Sequence, residues 1–200
     1  MTGRRPARPR EDVFAEAMAA IAEHGLAALT MAALGRRLGM SGGHLLYYFG
    51  SKDQLLLETL RWSEGLLGER RRAALDRPAT GAAERLDAFT RLYLPEGPGD
   101  PRWTLWLEVW TRSQAVEALR AGQREITDSW HRDLTALLAE GSAAGEFRAL
   151  PDPGAWATRY EALLDGLAVP VVAGVPGTAR RSALTHARAH LADTLLPPAR

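Results

Sequence analysis

The chain has no cysteine, which removes disulfides, thiolate nucleophiles and cysteine-based zinc sites from consideration. It has no long apolar run. The longest, Leu167 to Val175, is broken by Pro170 and Gly174 and falls far short of the roughly 20 residues that span a bilayer. Where a secretory signal would place its apolar stretch, a helical pattern carrying acids follows the first arginines. These absences predict a cytoplasmic protein with no membrane partner. No segment alternates with period two, which argues against sheet. Catalytic carboxylate pairs are not legible, because Glu and Asp are scattered among Arg as on solvated faces; no enzymatic activity and no cofactor are expected. A net charge of +1 excludes a general polyanion binder.

The distribution of that charge is more informative. Residues 1–52 hold seven basic and four acidic side chains, a net of +3, which leaves −2 for the remainder. Lys52 is the one lysine; every other basic residue is arginine. A basic N-terminal quarter on a mildly acidic body suits a nucleic-acid head on a neutral scaffold. Helical spacing runs through the rest, predicting an all-α fold of nine helices. Residues 1–9, with Gly3, Pro6 and Pro9, read as a flexible basic arm. Its Arg4, Arg5 and Arg8, with Arg10, serve equally as a minor-groove reach or as a solvated tail. Helix 1 carries Val13, Phe14, Ala17, Met18 and Ile21 on one face and stops at Gly25. Thr30, Ser41 and Ser51 are placed to cap helices 2, 3 and 4. Helix 5 covers about 82–94, helix 6 about 102–120, and Gly122 weakens the junction with helix 7. Helix 8 opens at Pro151 and Pro153 and is expected to kink at Pro170; helix 9 spans about 178–195.

The segment Thr30–Ser41 has the parts of a helix-turn-helix. Leu34, Leu38 and Met40 supply core contacts, Gly35 is small where two helices cross, and Gly39 can take positive φ at the turn. An ordinary helical hairpin has similar parts. The following run, Ser41-Gly42-Gly43-His44-Leu45-Leu46-Tyr47-Tyr48-Phe49-Gly50-Ser51-Lys52, adds a small-residue helix start, an aromatic cluster ending in Phe, and a Lys before a long helix. With Leu29-Thr30-Met31 ahead of it, residues 10–57 resemble the DNA-binding head of TetR-family transcriptional regulators.

That resemblance implies a TetR-like fold: a three-helix DNA-binding head (10–57) and a helical ligand-binding and dimerisation body (58–200). It places Gly42, Gly43 and His44 toward base edges and Tyr47, Tyr48 and Lys52 at phosphates. Thr30 falls where helix 2 meets the DNA backbone. The chain departs from the pattern at Leu46, where many members carry Tyr. Leu46 cannot hydrogen-bond phosphate, and the two glycines offer no readout, so specificity falls to His44, Tyr47 and helix 2 residues such as Ala32 and Arg36. The resemblance implies a homodimer on a near-palindromic duplex operator, released by a small-molecule effector. The C-terminal part also resembles the choline-responsive regulators, which identifies no ligand for this chain. A helical small-molecule-binding or interaction protein that never touches DNA is the alternative.

In the body, Trp103, Trp106, Leu107, Trp110 and Gln114 recur at helical spacing on helix 6, with Trp130 and Leu134 on helix 7. The stripe reads either as core or as the wall of an effector pocket. Trp156, Tyr160 and Leu164 on helix 8, with Leu184, Ala187 and Leu191 on helix 9, are the expected dimer contacts, unless they serve the core. Gly65 and Gly68 make helix 4 a candidate hinge. His186 and His190 are spaced i, i+4, but no third ligand is evident, and no metal site is expected.

Overall fold

The structure, a computed structural model, describes residues 10–77 and 79–197. The basic arm expected at 1–9 lies outside the described residues. Those described form nine α-helices and no strand: α1 Arg10–His24, α2 Met31–Leu38, α3 Gly42–Phe49, α4 Lys52–Leu75, α5 Ala82–Tyr93, α6 Pro101–Ser113, α7 Glu117–Ala143, α8 Pro153–Val172 and α9 Arg180–Thr194. No helix is long and apolar enough to cross a membrane among these residues. The chain groups into two compact units. One runs to Glu64 and adds Pro101–Gln123; the other is Gly65–Asp100 with the chain from Arg124.

In the first unit, α1 buries Val13, Phe14, Ala17, Ala20 and Ile21, a stripe that faces α2 and α6. Gly25, at φ 73°, turns the chain out of α1. Thr30 then accepts the Ala33 N–H at 3.0 Å and starts α2. Gly39 ends α2 at φ 66°, a conformation that strains any residue with a Cβ. Ser41 accepts the His44 N–H at 3.1 Å and opens α3, and Ser51 accepts the Gln54 N–H at 3.0 Å and opens α4. Four local devices thus set the helix-turn-helix in sequence order. Leu34, Leu38 and Leu45 close its core, each at most 2% exposed; burying each leucine side chain is worth about 1.5–3 kcal/mol.

The break between α6 and α7 falls at residues 114–116, not at Gly122. Arg120 donates to the carbonyls of Ser113 and Gln114 and so satisfies the end of α6. Gly122 lies inside α7. A Cβ there would stand 2.5 Å from Leu57 Cδ1, so this glycine is a close-packing residue and not a break.

The second unit is organised by α5, α8 and α9. Asp152 caps α8 through the Ala155 N–H at 2.9 Å, with Pro153 at the first helical position, where its missing N–H costs nothing. The helix continues through Pro170 and ends two residues later. Tyr160 is fully buried, its hydroxyl 2.8 Å from Thr90 Oγ1, and burial holds its pKa above the usual phenol range.

Candidate nucleic-acid interface and effector body

The eight residues of α3 divide cleanly. Leu45 and Phe49, spaced i, i+4, point inward; the Phe49 ring lies 5.9 Å from that of Phe14 and under the Arg10 guanidinium at 5.2 Å. Arg10 also bonds Glu58 at 3.2 Å and reaches the Tyr48 carbonyl, pinning the start of α1 to α3 and α4. Outward stand Leu46 (44% exposed), Tyr47 (85%) and Tyr48 (42%). His44 stacks on Tyr48 at 4.9 Å, and Tyr48 meets Tyr47 edge-on at 5.7 Å. This continuous strip of rings lies on the exposed side of α3.

Its electrostatics are selective. Adjacent arginines on α2 have different fates. Arg37 is clamped by Glu16 and by Glu23 at 2.7 Å; the hydrogen bond and charge of Arg37 hold the Glu23 carboxyl below its ordinary range. Both ends are solvated, so the clamp orients more than it stabilises. Arg36 is exposed, with no ion pair among the described residues. Beside Lys52, the acid Asp53 is engaged by Arg112 of α6 at 2.9 Å. Lys52, at the first residue of α4, thus keeps its field from being cancelled by its neighbour.

The two glycines of α3 differ. A Cβ at Gly42 would lie 3.0 Å from Ala32 N and 3.1 Å from Ala32 Cα, so Gly42 lets α3 cross the start of α2. A Cβ at Gly43 would meet only Ser41 Oγ, at 3.9 Å.

Sequence pattern placed an aromatic stripe on α6. Trp103 and Trp106 are buried there; Leu107 and Trp110 are half-buried. Gln114 is not on the helix, because α6 stops at Ser113. The stripe meets a group the sequence reading passed over, Glu64. Buried at 6% exposure, it accepts from the Trp106 indole at 2.8 Å and from Arg102 at 3.2 Å.

Trp130 and Leu134 belong to the second unit and are buried there. Phe89 and Tyr93 meet Trp130 nearly perpendicularly at 5.2 and 5.1 Å, and Arg71 lies over its face at 4.0 Å. The Tyr93 hydroxyl donates to Asp165 at 2.7 Å; one turn earlier Glu161 pairs with His131 at 2.8 Å. Burial raises the pKa of both carboxyls, the Tyr93 and His131 hydrogen bonds offsetting only part of it. A carboxyl raised on folding contributes stability below its unfolded pKa and loses it as pH rises through the folded value. The advantage of Asp165→Asn over the wild type in urea denaturation is therefore expected to grow from pH about 4 to pH about 7. An advantage that stays flat across this range contradicts the burial argument.

The expected dimer residues prove to be internal. Trp156, Tyr160, Leu164, Leu184, Ala187 and Leu191 are all buried within the single chain. Trp156 stacks on Tyr160 at 5.1 Å and His190 stacks on the same Tyr160 ring at 5.9 Å, where α8, α9 and α5 meet. The apolar groups that α8 and α9 expose are different ones: Ala162, Gly166 and Val169, and Ala189 and Ala192. His186 is exposed while His190 packs on rings.

Residues 13–59 match the model of bacterial regulatory proteins of the tetR family, and residues 82–196 match that of the BetI-type transcriptional repressor C-terminal region. The chain belongs to the TetR family. An HTH-type transcriptional regulator BetI of Agrobacterium fabrum is 36% identical over 122 residues, 59% of this chain and 57% of that protein. The match therefore spans less than two thirds of that relative. One from Burkholderia mallei is 31% identical over 165 residues, 79% of this chain and 78% of that protein. Among solved TetR-like folds, a putative transcriptional regulator from Saccharomonospora viridis in complex with choline is 30% identical with a TM-score of 0.85, covering 94% of this chain and 97% of that one. Against this TetR frame, the residues that pattern missed are the charged ones on the inward stripe of α4. Glu64 and Arg71 continue the spacing begun by Leu56 and Leu60, and a charge landing on such a stripe was the available signal.

Proposed function

We propose that the protein is a homodimeric transcriptional repressor that grips a near-palindromic duplex operator and releases it when a small molecule enters its body. The observation that carries this reading is the outward strip His44–Tyr48–Tyr47 beside Lys52. Tyr47, Tyr48, Lys52 and the Thr30 end of α2 take phosphates and set register; His44 and Arg36 supply base-edge contact. Gly42 brings α3 against α2, and Gly43 leaves its backbone bare for close approach to the groove. The thin set of base-reading side chains implies that backbone contacts and DNA shape carry much of the affinity.

Choline in the Saccharomonospora viridis relative supports an organic cation as the effector class here. Aromatic side chains in the body, Trp130 and Tyr93 first, suit such a ligand through cation–π attraction. Release requires that the effector bind the DNA-incompetent arrangement more tightly than the competent one. The exposed small and apolar positions Ala162, Gly166, Val169, Ala189 and Ala192 form the surface that pairs with a second copy. The protein acts in the cytoplasm, where its DNA is.

Retention on immobilised nonspecific duplex, read against salt, tests the DNA reading. Steep salt dependence is the expected result. Flat, weak retention at low salt identifies a helical small-molecule-binding protein that does not act on DNA.

A further inference from the structure

The Trp130 ring is buried, at 4% exposure. Phe89 and Tyr93 stand nearly perpendicular to it, at 79° and 80°, and close off its surroundings. Its π face is already engaged: the Arg71 guanidinium sits 4.0 Å from the ring centroid. Arg71 is held there by a 2.6 Å bond from Nε to Asp133 and a 2.9 Å bond from Nη2 to Ser129, with its side chain only 4% exposed. An arginine on an aromatic face with one carboxylate counterion reproduces, inside the chain, the contacts an organic cation would make.

We infer that Arg71 is an internal competitor for the effector: a small organic monocation takes the Trp130 face and Asp133 by displacing the Arg71 guanidinium. The inference rests on the reading of the effector as a cation and adds the site, the charge rule and the coupling. The charge rule follows from Asp133. Exchanging one monocation for another keeps that part-exposed carboxylate paired, whereas a neutral or anionic ligand that expelled Arg71 would leave it without a cation partner. Size follows from Trp130, whose face accepts an alkylated ammonium or a guanidinium alike. Coupling follows from position. Arg71 lies on α4, which runs unbroken from Lys52 to Leu75, so the displaced group sits on the helix that begins at the candidate phosphate contact. Nineteen residues of the same helix separate the two positions in the chain. Gly65 and Gly68 lie between them, and a Cβ at either would meet nothing within 4 Å.

The test is calorimetric titration with choline chloride and, separately, methylguanidinium chloride, on the wild type, Arg71→Met and Arg71→Lys. Arg71→Met keeps the apolar stem and removes the competing charge. It is expected to bind choline about tenfold more tightly than the wild type, the gain of one unopposed cation–π contact. Arg71→Lys keeps a charge but loses the planar fork to Asp133 and Ser129, and is expected to fall between the two. In a DNA-binding assay choline is expected to release the wild type from its operator and to release Arg71→Met weakly, because no arginine remains to be displaced. Equal or weaker choline binding by a folded Arg71→Met overturns the inference while leaving a cationic effector in place. If Arg71→Met does not fold, Arg71→Lys decides: affinity equal to the wild type overturns it. Wild type and variants that bind neither cation overturn the inference together with the cationic reading on which it rests.

Discussion

Gly35→Ala is expected to abolish specific operator binding while the body keeps its fold. The added Cβ would stand 2.8 Å from the Met40 carbonyl oxygen, 3.0 Å from Gly42 N and 3.1 Å from the Ser41 carbonyl carbon. All three are backbone atoms of the turn, so no flexible side chain can yield. The same segment is fixed from both sides, by the left-handed Gly39 and by the Ser41 cap on α3. The methyl must push α3 away from α2, at a cost of about 1–3 kcal/mol. The functional loss is larger than the stability loss. With α3 displaced, its outward face no longer meets the groove as the proposed function requires, and binding is expected to fall to the nonspecific level, about 10³-fold or more weaker. Gel-shift titration and circular dichroism on one preparation check it. Operator affinity within threefold of wild type would mean that the α2–α3 crossing does not set the docking geometry.

Lys52→Ala combined with Tyr48→Phe carries the second large effect. Tyr48→Phe removes a hydroxyl and keeps the ring that stacks on His44, so the strip retains its shape. Lys52→Ala removes a cation whose acidic neighbour, Asp53, already belongs to Arg112. Neither change opens a cavity, and little stability is lost. Operator affinity is expected to fall about 10- to 100-fold, and the slope of log K against log salt to shrink by about 1 per protomer. Both numbers come from one fluorescence-anisotropy series across salt. A weakened complex with an unchanged slope would place the lysine away from phosphate.

The head was readable from sequence because its devices are local. Thr30, Gly39, Ser41 and Ser51 each act within three or four residues of themselves, and each occupies the cap or turn the pattern assigned. The all-α architecture of nine described helices was readable for a similar reason, since helical period and proline–glycine breaks are properties of short windows. What sequence missed depends on partners far along the chain. Gly122 looked like a weak junction and is small because Leu57 lies against it. The α6 terminus could not be placed at Ser113 without knowing that Arg120 folds back on it. Tyr160 and Ala187 were expected at the dimer contact, since period alone does not say which side of a helix its own chain covers; both are fully buried. Arg71 and Glu64 were passed over because charged residues are usually solvated, yet here one lies on a tryptophan face and the other accepts a tryptophan indole N–H.

In the proposed function the outward face of α3 holds duplex DNA in a twofold complex. The most direct measurement is to select bound duplexes from a random-sequence library and determine the stoichiometry and salt dependence of the winner by analytical ultracentrifugation. The expected result is a near-palindromic site, an even number of protomers per duplex, and affinity that falls steeply with salt. Recovery of no common sequence, with weak binding that salt hardly changes, would contradict it.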